Sequence, residues 1–469
     1  MIFNSIEFLL FGVLFFALWP FMRNNKETRW SFITMASFFF YGWWDWRFLF
    51  LIIGSGLIDY SAGLAIEKYR RNKRFWLVLS LLGNLGALSI FKYSLFFAQV
   101  GEDILAKIEV TVNLQDSIPE FALILPVGIS FYTFQSLSYT IDIYRGRLKP
   151  TKNILHFFSY LAMFPQLVAG PIVRAKDFLF QLNRVRIPST LERWNAIKMI
   201  VFGLFQKMVI ADNLSFFIDS AFEGKAVYDG ALFWWVVMIA FSFQIYADFS
   251  GYSLIARGLA KYMGYHFKMN FNHPYLSRSI REFWTRWHIS LSTWFRDYVY
   301  IPLGGSKKGF WWGLLAMALT MLLSGLWHGA AYTFLIWAAL HVLWLSIERI
   351  TKWPKIMRYH SLIIPVIFIQ TLLAWVYFRS ADMEQGNGII TKLFSGESSD
   401  WAFFQFYLDS IFFLGLGILI ELVIFVRKND QQWIRFYWRY GFDVLFVSLA
   451  IVAIIFFRGE GKQFIYFQF

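Results

Sequence analysis

Residues 311–347 read WWGLLAMALTMLLSGLWHGAAYTFLIWAALHVLWLSI. From Gly309 onward, no Asp, Glu, Lys or Arg occurs before Glu348. One crossing of the bilayer core takes about 20 apolar residues, so the run is long enough for two. His328 falls in its middle, between Trp327 and Gly329, with Ala330 and Ala331 after it and Ser324-Gly325 one turn before. An imidazole at membrane depth is costly and by default marks function. The small neighbours permit close helix approach and a cavity. His328 is therefore a candidate catalytic base; the alternative is a histidine that hydrogen-bonds across helices.

The composition extends this reading to the whole chain. Apolar residues make up 58% and charged residues only 16%, against about 25% charged in soluble domains. Apolar segments recur at 6–21, 30–44, 48–66, 75–97, 121–144, 199–218, 231–247, 311–327, 330–347, 362–378, 404–426 and 444–457. The expected fold is an all-α polytopic membrane protein with about 11–12 transmembrane helices in one domain over 1–469. The first segment lacks a basic n-region and a small-residue cleavage site, so it reads as a helix and not as a cleaved signal. Cysteine is absent, which removes disulfides, thiolate metal sites and Cys nucleophiles. The net charge of +14 fits Lys- and Arg-rich cytoplasmic loops better than nucleic-acid binding.

Loop charge orients the chain. Arg23, Lys26 and Arg29 follow the first segment, Lys68, Arg70, Arg71, Lys73 and Arg74 the third, and Arg145, Arg147, Lys149 and Lys152 the fifth. Glu102, Asp103, Glu109, Asp116 and Glu120 follow the fourth. The alternation puts the N-terminus outside. Arg349, Lys352, Lys355 and Arg358 then fall inside, as do Arg427, Lys428, Arg435 and Arg439, while Asp382, Glu384, Glu397, Asp400 and the C-terminus fall outside.

Two stretches break this alternation. Residues 154–173 are apolar, yet basic residues flank both ends, and Phe164-Pro165-Gln166 and Ala169-Gly170-Pro171 interrupt any helix. A re-entrant hairpin accounts for both facts, since irregular backbone at depth is tolerated where protein buries it. Residues 249–306 mix Arg278, Arg281, Glu282, Arg286, Arg296 and Asp297 with Trp284, Trp287, Trp294 and Tyr298. That amphipathic pattern suits the cytoplasmic interface.

Among the seven histidines, His288 lies in REFWTRWHIS. His266, His273 and His360 fall in polar loops and read as ordinary interfacial groups, and His156 and His341 as satisfied core histidines. No HExxH occurs, and His288 and His328 do not share a helical turn, so metal binding is not indicated. Histidine around neutral pH suits a general base that activates a hydroxyl.

The ordered motifs carry a resemblance. They are LPVGISFYTFQ at 125–135, FPQLVAGPI at 164–172, DFSGYS at 248–253, FNHPY at 271–275, the His288 segment with WFRDYVYIPLGG at 294–305, the Trp327-His328-Gly329 segment, and FIYFQF at 464–469. Together they resemble the membrane-bound O-acyltransferases, most closely the bacterial alginate O-acetylation branch. The resemblance implies helices ringed around a thin wall, with a funnel from each face forming a central tunnel. It also implies acyl transfer from a cytosolic thioester, with acetyl-coenzyme A or another acyl thioester as donor substrate and no bound cofactor. His328 matches the family's catalytic histidine and His288 its second characteristic polar position; on this resemblance both are catalytic, His328 as general base or acyl relay and His288 as the group that orients the donor or polarises its carbonyl. Partners in that branch are periplasmic or membrane-anchored esterase-like proteins, and the location is the bacterial inner membrane.

On this reading Asp248, Ser250, Tyr252, Trp327 and Ser324 line the tunnel, although the first three equally suit a capped helix end. Arg281, Arg286 and Arg296 face the donor's phosphates or simply anchor the cytoplasmic side. A transporter or channel, which would show inverted repeats with broken helices in both halves, and a scaffold with dispensable histidines are the alternatives. The topology is open to direct test because the chain has no cysteine of its own. Ser117→Cys is expected to react with an impermeant maleimide on intact cells and Ser189→Cys only after permeabilisation. Labelling of position 189 from outside would sink the re-entrant assignment.

Overall fold

The computed structural model describes residues 1–167, 170–356, 360–398, 400–429 and 436–465, with side chains omitted at 355–361 and 427–440. Val168, Ala169 and Tyr466–Phe469 of the motifs, and the loop charges Lys355, Arg358, Arg427, Lys428, Arg435 and Arg439, lie outside the described residues or side chains, as does the His360 ring. The described residues form helices and no strand. Among the described residues, eight helices are long and apolar enough to cross a membrane: Trp46–Lys68, Arg70–Ala106, Thr190–Phe222, Ala231–Met263, Phe310–His328, Tyr332–Thr351, Leu362–Arg379 and Leu408–Val426. Each overlaps an apolar segment read from the sequence. Two more segments form shorter apolar helices, Ile6–Met22 and Gly441–Phe456.

The remaining two segments form helices of 17 and 16 residues, Lys26–Gly42 and Ile129–Tyr144. The second is lined with Ser130, Thr133, Gln135, Ser136, Ser138, Thr140 and Asp142, all buried. Its polar side chains face protein, which is why apolar content alone describes it poorly. The contacts of the chain fall into two compact units, one of residues 1–194 with 259–268, the other of 195–258 with 269–469.

In the first unit, the broken segment is built into the interior. Ile154–Leu161 has only eight residues, about 12 Å of helix, and ends before a single turn at Phe164–Leu167. Neither piece can cross a bilayer. The Phe164 backbone N–H donates to Ser37 Oγ at 3.0 Å, and its ring packs among Phe11, Phe15 and Phe40. Gly128 caps the Ile129–Tyr144 helix at φ +76°, where a Cβ would stand 2.6 Å from the Leu167 carbonyl oxygen. Tyr160 donates to the Gln135 carbonyl at 2.9 Å and Gln166 donates to the Tyr160 carbonyl at 2.6 Å. These bonds join the LPVG and FPQ motifs.

Ala231–Met263, which lies in the second unit up to Gly258, runs for 33 residues, so the helix does not end near residue 247 as the apolar pattern suggested. Ser242, Asp248, Ser250 and Ser253 are buried by neighbouring protein, which removes the cost of leaving the apolar pattern. Only residues 264–306 take the form of short, irregular pieces, including Ile280–Arg286 and Ile289–Phe295. The long helix meets Thr190–Phe205 through glycine. A Cβ on Gly203 would lie 2.6 Å from the Gly251 carbonyl oxygen, and one on Gly251 would lie 2.7 Å from that of Gly203. Such backbone contact is how helices pack where lipid is as apolar as leucine. Gly251→Ala is expected to destabilise by about 1–3 kcal/mol, whereas Gly415→Ala, whose Cβ meets nothing within 4 Å, is expected to be neutral. Detergent-solubilised protein remaining monodisperse after heating would report the difference.

Candidate active site

His328 is the last residue of the Phe310–His328 helix. Gly325 and Gly329 bring the following helix against it: a Cβ at Gly325 would approach the Phe334 carbonyl oxygen to 2.6 Å, and one at Gly329 would overlap the Phe334 ring. The imidazole, 3% exposed, sits among the rings of Trp327, Trp337 and Phe378 at 4.9, 5.0 and 5.5 Å between centroids.

His288 is fully buried between the helices Ile280–Arg286 and Ile289–Phe295, on left-handed backbone at φ +42°. Its ring lies 4.6 Å from that of Phe249 and 6.0 Å from that of Trp327. Trp327 therefore touches both imidazoles, and it is the residue that brings the two motifs together.

Asn270 fixes the His288 ring. Its Oδ1 accepts from the Ser290 backbone N–H at 3.1 Å and from Ser290 Oγ at 2.9 Å, which identifies that atom as the amide oxygen. His288 Nδ1 stands 3.3 Å from the same oxygen and must carry the proton to bond it, leaving Nε2 as the acceptor nitrogen. Burial pushes the His288 pKa down to about 3, so the ring stays neutral at physiological pH.

A cavity of about 1160 Å³ opens beside this centre. Arg278, Arg281, Arg296, Arg349 and Lys352 line it, opposed by Glu282 and Glu348. At its other end are Met317, Thr320, Met321 and Ser324 of the His328 helix. Ser324 and His328 are four residues apart and share a helix face, so the cavity reaches within one turn of the imidazole.

The geometry sorts the residues singled out in the sequence. Ser324, Arg281 and Arg296 line the cavity, and Trp327 bridges the histidines. Arg286 departs from its two companions: it pairs with Glu282 at 2.6 Å and donates to the His273 carbonyl at 3.4 Å. Asp248, Ser250 and Tyr252 lie mid-helix and cap no helix end. Asp248 stands 3.0 Å from Lys207 Nζ, which is also 2.8 Å from Asp212, and it accepts from the Ile465 backbone N–H at 2.7 Å. These groups border a separate pocket of about 20 Å³. Ser250 donates to Gln206 at 3.1 Å, and the Tyr252 ring lies 4.6 Å from that of Phe464.

The other histidines bring two corrections. His156 is satisfied, 2.9 Å from both Thr151 Oγ1 and the Leu179 carbonyl. His341 is not: boxed by Phe283, Trp284, Trp337 and Trp344, it has no hydrogen-bond partner at either nitrogen among the described residues. His273 is no interfacial group either, since it is buried and bonded to Glu421 at 2.8 Å. Among the described residues no three His, Cys, Asp or Glu are grouped to hold a metal ion. Arg278, Arg349 and Lys352 were read from the sequence only as interfacial or loop charges, and Asn270, Trp337 and Phe378 were not singled out. Nothing in their spacing marks them, apart from the asparagine-rich run Asn270-Phe271-Asn272.

Residues 148–381, which include both histidines and the cavity, match the model of the membrane-bound O-acyltransferase family, MBOAT. The chain is 39% identical to the "probable alginate O-acetylase AlgI" of Pseudomonas aeruginosa, over 84% of this chain and 75% of that protein. The chain belongs to the membrane-bound O-acyltransferase family. This O-acyltransferase is also 34% identical to the peptidoglycan O-acetyltransferase of Helicobacter pylori, over 80% of this chain and 76% of that protein. It is 31% identical to the teichoic acid D-alanyltransferase of Streptococcus thermophilus, over 52% of this chain and 60% of that protein.

Proposed function

We propose that this multi-pass O-acyltransferase takes an acetyl group from a cytosolic thioester, acetyl-coenzyme A or a related acyl thioester. The acetyl group is delivered across the bacterial inner membrane toward O-acetylation of an exopolysaccharide such as alginate, or of another envelope polymer. The observation that carries the reading is the cationic cavity that stops one turn from the buried His328. Positive residues concentrate on the cytoplasmic face, so this mouth is the cytoplasmic one, both termini are periplasmic, and the broken segment 154–173 returns to the cytoplasmic side. Arg281 and Arg296, joined by Arg278, Arg349 and Lys352, would hold phosphates through charge-assisted hydrogen bonds.

From there a pantetheine-like arm would pass Met317, Thr320 and Met321 to Ser324. His328 would take the proton of an acceptor hydroxyl as its oxygen attacks the thioester carbonyl. The tetrahedral intermediate collapses, the C–S bond breaks, and the leaving thiolate takes the proton back from the imidazolium. Since His288 presents an acceptor nitrogen, orienting a donor N–H suits it and polarising a carbonyl does not. The rings of Trp327, Trp337 and Phe378 leave little room beside His328, which favours a small acyl group. The three relatives are named for acetyl or D-alanyl transfer, both small. An esterase-like partner, periplasmic or membrane-anchored, would complete transfer to the polymer. The chemistry uses no bound cofactor.

His328→Gln preserves volume and hydrogen bonding but cannot take the proton. Acyl content of the exported polymer, at matched protein amounts, is expected to fall about 10²–10⁴-fold; near-normal acylation would rule out proton transfer by this side chain. In the purified enzyme, Arg281→Gln with Arg296→Gln is expected to raise the Michaelis constant for acetyl-coenzyme A while sparing kcat. Arg286→Gln, by contrast, is expected to reduce folded protein through loss of its Glu282 pair. Unchanged donor dependence in the double variant would assign those arginines to anchoring.

A further inference from the structure

We propose that Glu421, inside a membrane-crossing helix, is a positioning residue for His288 and acts through His273. The proposal rests on the reading of His288 as part of the reaction centre. Glu421 lies in the apolar span Leu408–Val426 and is 9% exposed. An ionisable side chain there is expensive and is retained where it has a task and a partner. Its partners are His273 Nδ1, 2.8 Å from Oε1, and the Tyr246 hydroxyl, which donates at 3.2 and 3.3 Å to the two oxygens. Apolar contact would join these helices at least as well, so stability alone does not account for the carboxylate.

What the pair does supply is position. His273 holds left-handed backbone at φ +50°, a conformation a non-glycine residue keeps only where its surroundings enforce it. The four residues Asn270–His273 are stitched at both ends to the segment Arg286–Ile289, which carries His288. The Asn272 backbone N–H donates to the Arg286 carbonyl at 2.9 Å, and the Ile289 N–H donates to the Asn270 carbonyl at 2.9 Å. Arg286 reaches the His273 carbonyl and Asn270 Oδ1 meets His288 Nδ1. A shift at His273 is therefore passed to the oxygen that sets the His288 ring and tautomer. Tyr246 gives a second route, because its ring backs Phe271 and Trp287 at 5.9 and 6.3 Å, and Trp287 precedes His288.

The experiment compares Glu421→Leu with Glu421→Gln, which keeps one acceptor oxygen whose two lone pairs can serve both His273 and Tyr246. Diethyl pyrocarbonate modifies accessible neutral imidazoles, and peptide mass spectrometry reads the rate at His288, with His156 as internal reference. In Glu421→Leu, modification of His288 is expected to rise several-fold, and polymer acylation at matched protein to fall about 10- to 100-fold, as for a misplaced reacting group. Glu421→Gln is expected to restore both. If Glu421→Leu does not accumulate, Glu421→Leu/His273→Asn leaves no orphaned charge and keeps a side chain that tolerates left-handed backbone; the same two changes are expected. Wild-type protection of His288 without the carboxylate, or failure of Gln to rescue, would overturn the positioning role. Raised His288 reactivity with undiminished acylation would keep the clamp and sink the reading of His288 on which its part in catalysis rests.

Discussion

In hydrocarbon a polar group has no water to bond, so the chain itself must answer it. Most of what is distinctive in this fold follows from that constraint. In the first unit, Asp59 is met by Ser80, Asn84 and Thr140 from two other helices, and Asn84 in turn accepts from Ser55 and Ser136. In the second, Lys207 answers two carboxylates and one of these also takes the Ile465 N–H. Apolar surface gains little by leaving lipid for protein, so contacts of this kind, and not oil-like burial, fix which helices meet and in what register.

Close backbone approach is the other half of the same economy of space. Gly203 and Gly251 let two helices touch, and Gly325 and Gly329 do so at the end of the helix that carries His328. With no side chain between the backbones, the Phe334 ring folds in behind the glycine, and Trp337 from the next turn reaches the imidazole. The site is thus shaped by what is missing at two positions as much as by the aromatic rings around it.

The spans were legible because apolar runs of membrane length are rare for any other reason. Residues 311–347 form two helices, and their uninterrupted apolar length alone puts His328 near the junction. The break in 154–173 was also legible, from proline and the charges on both flanks. The limits came where polarity stopped reporting on exposure. Residues 249–263 fall at the start of the stretch 249–306 that reads as interfacial, yet the helix continues through them, since protein buries Asp248, Ser250 and Ser253. His273 looks like a loop histidine for the same reason, and its partner Glu421 is 148 residues away. Asn270 carries no motif of its own. Its importance lies in three bonds to residues 18 and 20 positions later, and such long-range pairing leaves no period in a single sequence.

Charge is distributed along the second unit in a way that bears on the proposed chemistry. Arg278, Arg281, Arg296, Arg349 and Lys352 gather on the cavity lining, whereas the deep ions, Lys207 with Asp212 and Asp248 and Glu421 with His273, are paired in place. Around the histidines the surroundings are aromatic, and His288 is neutral. A thioester donor has the same asymmetry, with anionic phosphates at one end and an uncharged acyl group at the other. On the proposed reading its phosphates would be held at the mouth by interactions that would be lost if they moved inward, because desolvating them without partners is costly. The neutral acyl end meets no such barrier. On the proposed reading, this difference in desolvation cost stops the donor at the depth where its carbonyl comes within reach of His328, and lets only the acyl group go further.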